Sequence, residues 1–154
     1  VKFNTKILEK LANLAAGKTP LFLASSRLEG LAHFYQNQIH ENAKQMACFF
    51  AFPELNHHLL EGLSQSKDKN RWLAVILATG QENTEEIKRI MLTSQWLEKE
   101  KIASYKLVLK GKNLTEKLFW GINFGERLAL VLSYFNQVDP LKIPQVDWFK
   151  KRLS

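Results

Sequence analysis

Cysteine is nearly absent: Cys48 is the one thiol in 154 residues, so no internal disulfide can form. It sits in the run Met46-Ala47-Cys48-Phe49-Phe50-Ala51-Phe52, where a thiol is expected to bury itself as a small hydrophobe rather than act as a nucleophile. No apolar run is long enough to span a bilayer, and no signal-peptide pattern opens the chain. The expectation is a soluble, cytoplasmic protein. Because it starts at Val1 with no initiator Met, a piece cut from a longer protein is also expected.

Acidic residues are outnumbered, with 15 Asp and Glu against 22 Lys and Arg and a formal charge of +7. Such a surplus suits an anionic ligand, a nucleic acid or a membrane surface, so its distribution decides what it means. The basic residues are dispersed. Their densest runs are Lys67-Asp68-Lys69-Asn70-Arg71, in a polar stretch, and Lys150-Lys151-Arg152, in a terminal amphipathic one. Short runs of this kind are ordinarily solvated faces. No nucleic-acid motif accompanies them, so neither a nucleic acid nor a membrane is expected as partner.

What is present is a composition of 45% hydrophobic and 24% charged residues, enough for one globular domain with a real core. Ile7, Leu8, Leu11, Leu14 and Ala15 share one face of a helix over about Asn4 to Ala16, with Asn4 as cap and Gly17 as stop. Four compact apolar runs, Pro20–Ala24, Met46–Phe52, Trp72–Ala78 and Tyr105–Leu109, each end at turn-forming residues and read as buried strands. The stretch from Ser25-Ser26 to Lys44 is helix-compatible. Asn83 with Glu86, and Asn113 with Glu116, have capping-box spacing and open two further helices, to about Lys101 and Tyr134. Their expected core faces are Ile87, Ile90, Met91 and Leu97 in the first, and Leu118, Ile122, Leu128 and Leu132 in the second. Asn113-Leu114-Thr115 has the form of a glycosylation acceptor, but capping accounts for it.

Continuous apolar strands alternating with helices imply a parallel sheet covered on both faces. The fold expected is α/β, a three-layer α/β/α domain with four or five parallel strands spanning residues 1–154. Ligands of such sheets sit beyond the strand carboxyl ends. That directs attention to Ser25-Ser26, Pro53 to His58, Thr79 to Asn83, and Lys110 to Asn113.

The segment Glu41-Asn42-Ala43-Lys44, followed after the next strand by Pro53-Glu54-Leu55-Asn56-His57, resembles the bifunctional phosphoglucose/phosphomannose isomerases. Their second SIS (sugar isomerase) domain carries the same two motifs in the same order. Asp139-Pro140 and the Lys150-bearing end of the chain resemble that family's closing segment, so the likeness runs from about Thr19 to Leu153. The resemblance implies the C-terminal SIS domain of a two-SIS-domain enzyme that interconverts glucose 6-phosphate or mannose 6-phosphate with fructose 6-phosphate, with no metal or other cofactor.

By that resemblance Glu41 is the base that moves a proton between C1 and C2, His57 opens the sugar ring, and Lys150 lies in the same site. Asn42, Asn56, Ser25 and Ser26 are the expected substrate contacts. The phosphate-binding loops belong mainly to an upstream SIS domain, and the site forms at a homodimer interface with the histidine reaching across. The residue types suit the chemistry. Aldose–ketose isomerisation through a cis-enediol needs a shielded carboxylate, an imidazole to shuttle a proton during ring opening, and a cation beside the developing enediolate.

Without the surrounding motif Glu41 would read as a solvated helix-end carboxylate and Lys150 as part of a basic tail; Ser25-Ser26 could cradle a phosphate at a helix N-terminus, but simple capping is the favoured reading there. His57 and His58 have no further ligands at metal spacing, so no zinc site is expected. His33 and His40 read as surface or core-lining residues. The chain departs from the family in having Phe34-Tyr35-Gln36 where an Arg-aromatic-Lys run is usual, and His58-Leu59 where Asn-Glu is usual. These departures support an alternative, a non-catalytic SIS module that binds sugar phosphates for regulation or assembly.

Overall fold

The computed structural model describes residues 5–153, so the expected cap Asn4 lies outside the described residues. Helix α1, Thr5–Ala15, buries Leu8, Leu11, Ala12 and Ala15. It ends at Gly17, whose φ of +70° is the left-handed C′ conformation that glycine adopts without a Cβ penalty. Strand β1, Thr19–Ser25, is buried along its whole length. A single 3₁₀ turn at Ser26–Leu28 leads into α2, Glu29–Ala43.

Strand β2 is Cys48–Phe52 and β3 is Trp72–Ala78, with α3 at Leu55–Ser64 between them. Helix α4, Thr84–Lys99, leads to β4, Ala103–Val108, then α5, Leu114–Phe135, and α6, Pro144–Leu153. All strand pairs are parallel, in the order β2-β1-β3-β4. Four strands therefore form the sheet.

Side-chain alternation divides the core in two. Phe22 and Ala24 of β1 with Leu73, Val75 and Leu77 of β3 face α1, α2 and α5, whereas Leu21, Leu23, Ala74 and Ile76 face α3 and α4. The three-layer arrangement is thus built from two separate apolar clusters, each fully buried leucine or phenylalanine contributing about 1.5–3 kcal/mol. Among the described residues no helix is long and apolar enough to cross a membrane.

Several expectations change. β1 and β3 are buried, but β2 and β4 are edge strands with half-buried residues, because each has a neighbour on one side only. Cys48 is accordingly half-buried, packed against the α3/α4 cluster. That burial pushes its thiol above the ordinary value, which keeps it protonated and a poor nucleophile. In α4 the buried stripe is Ile90, Thr93 and Leu97, while Ile87 and Met91 are about half exposed. In α5 Leu128 and Leu132 are buried, Leu118 is half-buried, and Ile122 faces outward. Pro53 to His58 is not an open loop: a cis Phe52–Pro53 peptide leads directly into α3.

Both expected caps form. Asn83 accepts from the Glu86 N–H at 2.9 Å and the Glu86 carboxylate accepts from the Asn83 N–H at 2.9 Å. Asn113 accepts from the Glu116 N–H at 2.9 Å, although Glu116 reaches the N–H of Lys112 instead of closing the box on Asn113.

Candidate active site

In a parallel sheet a crossover helix starts at the strand carboxyl edge and returns to the amino edge. Glu41, on the last turn of α2, therefore stands at the amino edge of the sheet. α2 ends because Lys44 turns left-handed, φ 52°, and its N–H caps the Ile39 carbonyl. The Lys44 ammonium also donates to the Glu41 carbonyl, satisfying one of the carbonyls a helix end leaves open.

The following loop is pinned from three sides. His40 Nε2 lies 3.1 Å from the Ala47 N–H and 2.9 Å from its carbonyl. Gln45 donates to the Ala15 carbonyl at 2.9 Å. Asn136, just past α5, donates to the Ala43 carbonyl at 2.8 Å and to Gln45 Oε1 at 2.9 Å. Glu41 thus rides on a platform tied to the ends of α1 and α5. None of these struts is evident from local spacing, since Asn136 is 93 positions from Ala43.

The chain end folds back over this platform. Asn37, His40, Glu41 and Lys44 form one wall of a cavity of about 770 Å³, and Ile143, Pro144, Gln145, Val146 and Lys150 form the other. Among the described residues the Glu41 carboxylate and the Lys150 ammonium are committed to no ion pair and remain free for a ligand. A carboxylate that shares one cavity with two lysines and several apolar side chains can accept a carbon-bound proton and hold a developing negative charge beside a cation. His40, read from sequence as a surface or core-lining residue, is part of this cavity.

The other expected residues are elsewhere. Asn42 turns back along α2, donating to Gln38 Oε1 at 2.7 Å, and does not line the cavity. His57 is exposed on the first turn of α3, beyond the carboxyl end of β2 and so at the opposite edge of the sheet from Glu41. The five residues of β2 alone separate the two edges by about 16 Å. Asn56 points inward, donating to Thr93 Oγ1 at 2.9 Å.

Ser25 and Ser26 also lie at the carboxyl edge, in a hollow of about 160 Å³ shared with Pro53, Asn83, Glu85, Glu86 and Arg89. Ser25 makes no side-chain cap bond, so the plain capping reading does not hold for it. Glu86 takes Arg27 at 2.8 Å and Glu85 takes Arg89 at 2.8 Å, and the N-terminus of α4 is filled by its own capping box. Among the described residues the hollow offers no free cation for a phosphate.

Glu82, which sequence reasoning did not single out, organises the loop after β3. Its carboxylate accepts from the Thr79 N–H, from Thr79 Oγ1 at 2.7 Å and from the Gly80 N–H at 3.1 Å. Partial burial works against the charge, but these bonds outweigh it and hold the carboxyl below the usual carboxylate range. A depressed pKa contributes stability that is present above the unfolded-state pKa and lost as pH falls through the folded one. Glu82→Gln is therefore expected to cost about 1 kcal/mol at neutral pH. The gap in melting temperature from wild type should close on acidification below about pH 4.5; a gap independent of pH would refute this account.

The family profile described as "Bacterial phospho-glucose isomerase C-terminal SIS domain" matches residues 6–153. The chain belongs to this SIS-domain family. Among curated relatives, this SIS domain is 29% identical over 138 residues to the bifunctional phosphoglucose/phosphomannose isomerase of Thermoplasma volcanium, covering 88% of this chain and 43% of that protein. It is 27% identical over 154 residues to the enzyme of the same description from Thermoplasma acidophilum, covering 98% and 48%.

A solved glucose-6-phosphate isomerase like protein from Thermus thermophilus superposes with a TM-score of 0.68 at 22% identity, covering 86% of this chain and 42% of that one. That structural likeness supports the SIS fold. The SIS domain spans about half the length of the curated relatives it matches.

Proposed function

We propose that this SIS domain is the base-bearing half of an aldose–ketose isomerase that interconverts glucose 6-phosphate or mannose 6-phosphate with fructose 6-phosphate. The observation that carries this reading is that Glu41 and Lys150, far apart in sequence, line one cavity with neither committed to an ion pair among the described residues. Glu41 takes the proton from C2 of the open-chain aldose while O1 gains one, giving a cis-enediol. O2 then loses its proton and Glu41 returns the carbon-bound one to C1. Lys150 steadies the oxygen that carries charge between these steps.

Ring opening, by proton transfer from the O1 hydroxyl to the ring oxygen, falls to His57. Since His57 and Glu41 of one chain stand at opposite sheet edges, the histidine serving a given Glu41 comes from a second copy. An upstream SIS domain completes the phosphate site. The test is solvent-deuterium wash-in at C1 of fructose 6-phosphate, catalysed by the two-domain protein and by its Glu41→Gln variant.

The second reading, a sugar-phosphate-binding module without turnover, draws on the exposure of Glu41. Calorimetric binding of fructose 6-phosphate with no wash-in by the wild-type protein would select it.

A further inference from the structure

The first turn of α3 carries three consecutive side chains that go in three directions. Leu55 is fully buried in the α3/α4 cluster, His57 is exposed, and between them Asn56 reaches across to α4, donating to Thr93 Oγ1 at 2.9 Å. Thr93 is itself 1% exposed. Its placement on the buried stripe of α4, in place of an aliphatic residue, leaves a hydroxyl in the core that is met by the Asn56 amide.

The cost of this arrangement is visible on the same amide. Asn56 Oδ1 is buried and has no hydrogen-bond partner among the described residues, a condition worth roughly 1–3 kcal/mol against folding. An aliphatic residue at both positions would avoid it. A buried polar pair that is only half satisfied is a poor stabilising device, so its merit has to lie in where it holds the backbone.

What it holds is the start of α3. Glu54, at the N-cap, makes no side-chain cap bond, and the first turn contains no acidic residue. The Asn56 N–H reaches Pro53 O at 3.1 Å and the His57 N–H reaches Glu54 O at 2.9 Å, bonds internal to the turn that do not locate it on the sheet. Leu55 anchors the turn by burial, which is non-directional. The Asn56–Thr93 bond is directional and fixes the rotation of α3 about its own axis, and with it the direction in which His57 leaves the helix.

We infer that Asn56 and Thr93 form a positioning pair that aims His57 for ring opening, and that Asn56 is not a substrate contact. This inference rests on the proposed role of His57 as ring opener.

The test uses the two-domain protein and two substrates. Fructose 6-phosphate must be opened before it can isomerise, whereas 5-deoxyfructose 6-phosphate lacks the hydroxyl that closes the furanose ring and is always open. Thr93→Val removes the hydroxyl at nearly constant volume, and Thr93→Ser keeps it. Thr93→Val is expected to lower kcat for fructose 6-phosphate roughly tenfold, the scale of a small misplacement of a reacting group. Deuterium wash-in from the open analogue should be unchanged, and Thr93→Ser should restore turnover of fructose 6-phosphate.

Equal loss on both substrates, or no loss on either, overturns the positioning role. His57→Gln separates the two ideas: it should lose fructose 6-phosphate and keep the open analogue. If it does so while Thr93→Val does not, the positioning inference alone is wrong. If His57→Gln keeps both substrates, the ring-opening assignment falls, and the inference with it.

Discussion

Glu41→Gln in the proposed two-domain protein is expected to slow deuterium wash-in at C1 of fructose 6-phosphate by on the order of 10³-fold, within the span that a positioned general base contributes. The substitution keeps size and shape and removes only the ability to accept a proton. It should leave the fold alone. Glu41 is exposed and its side chain makes no ion pair among the described residues, and surface changes of that kind shift stability by about 0.5 kcal/mol or less. The contact that Lys44 makes on this residue goes to the backbone carbonyl, which the substitution does not touch. An unchanged melting temperature together with lost exchange would identify a chemical role. Exchange within a factor of about three of wild type would remove Glu41 as the base.

Gly125→Ala is expected to lower the melting temperature by roughly 5–10 °C, against what helix propensity alone would give. Alanine favours a helix interior over glycine by about 1 kcal/mol, and a Cβ on Gly62 of α3 would meet nothing within 4 Å, so Gly62→Ala should be slightly stabilising. A Cβ on Gly125 would stand 2.6 Å from Cε1 and 2.7 Å from Cδ1 of Tyr35. Tyr35 cannot step aside cheaply. Its ring is 1% exposed, it meets Phe22 edge-on at 5.2 Å, and its hydroxyl donates to the Gly121 carbonyl at 2.7 Å.

Displacing the ring adds overpacking of about 1–3 kcal/mol to a stranded buried hydroxyl of similar cost. The net loss of about 2–3 kcal/mol corresponds to the stated shift for a chain of this size. Thermal unfolding of Gly125→Ala beside Gly62→Ala checks both signs; a rise for Gly125→Ala would show that α2 and α5 do not meet as described.

The same contact accounts for the aromatic residue that this chain keeps in the middle of the family's Arg-aromatic-Lys run. Tyr35 lies in the Phe34-Tyr35-Gln36 stretch, and its burial, which also pushes the phenol well above its ordinary value, commits the middle of that stretch to the α2–α5 joint.

Sequence reasoning was most reliable where a signal is local. Asn83 with Glu86 and Asn113 with Glu116 mark helix starts because the cap is made by residues three apart, and β1 and β3 stand out because a strand covered on both faces is uninterruptedly apolar. It failed where the deciding neighbour is distant. Periodicity put Ile87 and Met91 on the core side of α4, yet the face that α4 buries against the sheet and α3 is a narrow stripe, and that stripe runs through Thr93. The α3 helix escaped notice because it is ten residues long, starts just after Pro53 and carries His57 and His58 in its first turn. The pairing of Glu41 with Lys150 depends on the chain end folding back over α2, which no spacing encodes; only the resemblance to the isomerases linked them.

The placement of Glu41 and His57 at opposite edges of one sheet also has a genetic consequence. If each reaction centre draws its carboxylate from one copy and its imidazole from another, the two inactivating substitutions need not be equivalent to one dead protein. A Glu41→Gln chain and a His57→Gln chain, each inert alone, would assemble as a two-fold pair with one centre carrying both lesions and the other carrying none. Co-expression should then return about a quarter of wild-type turnover, since about half of the randomly formed pairs are mixed and each has one intact centre. Defects that complement in this way would make the pair of chains, rather than the single polypeptide, the unit on which selection acts.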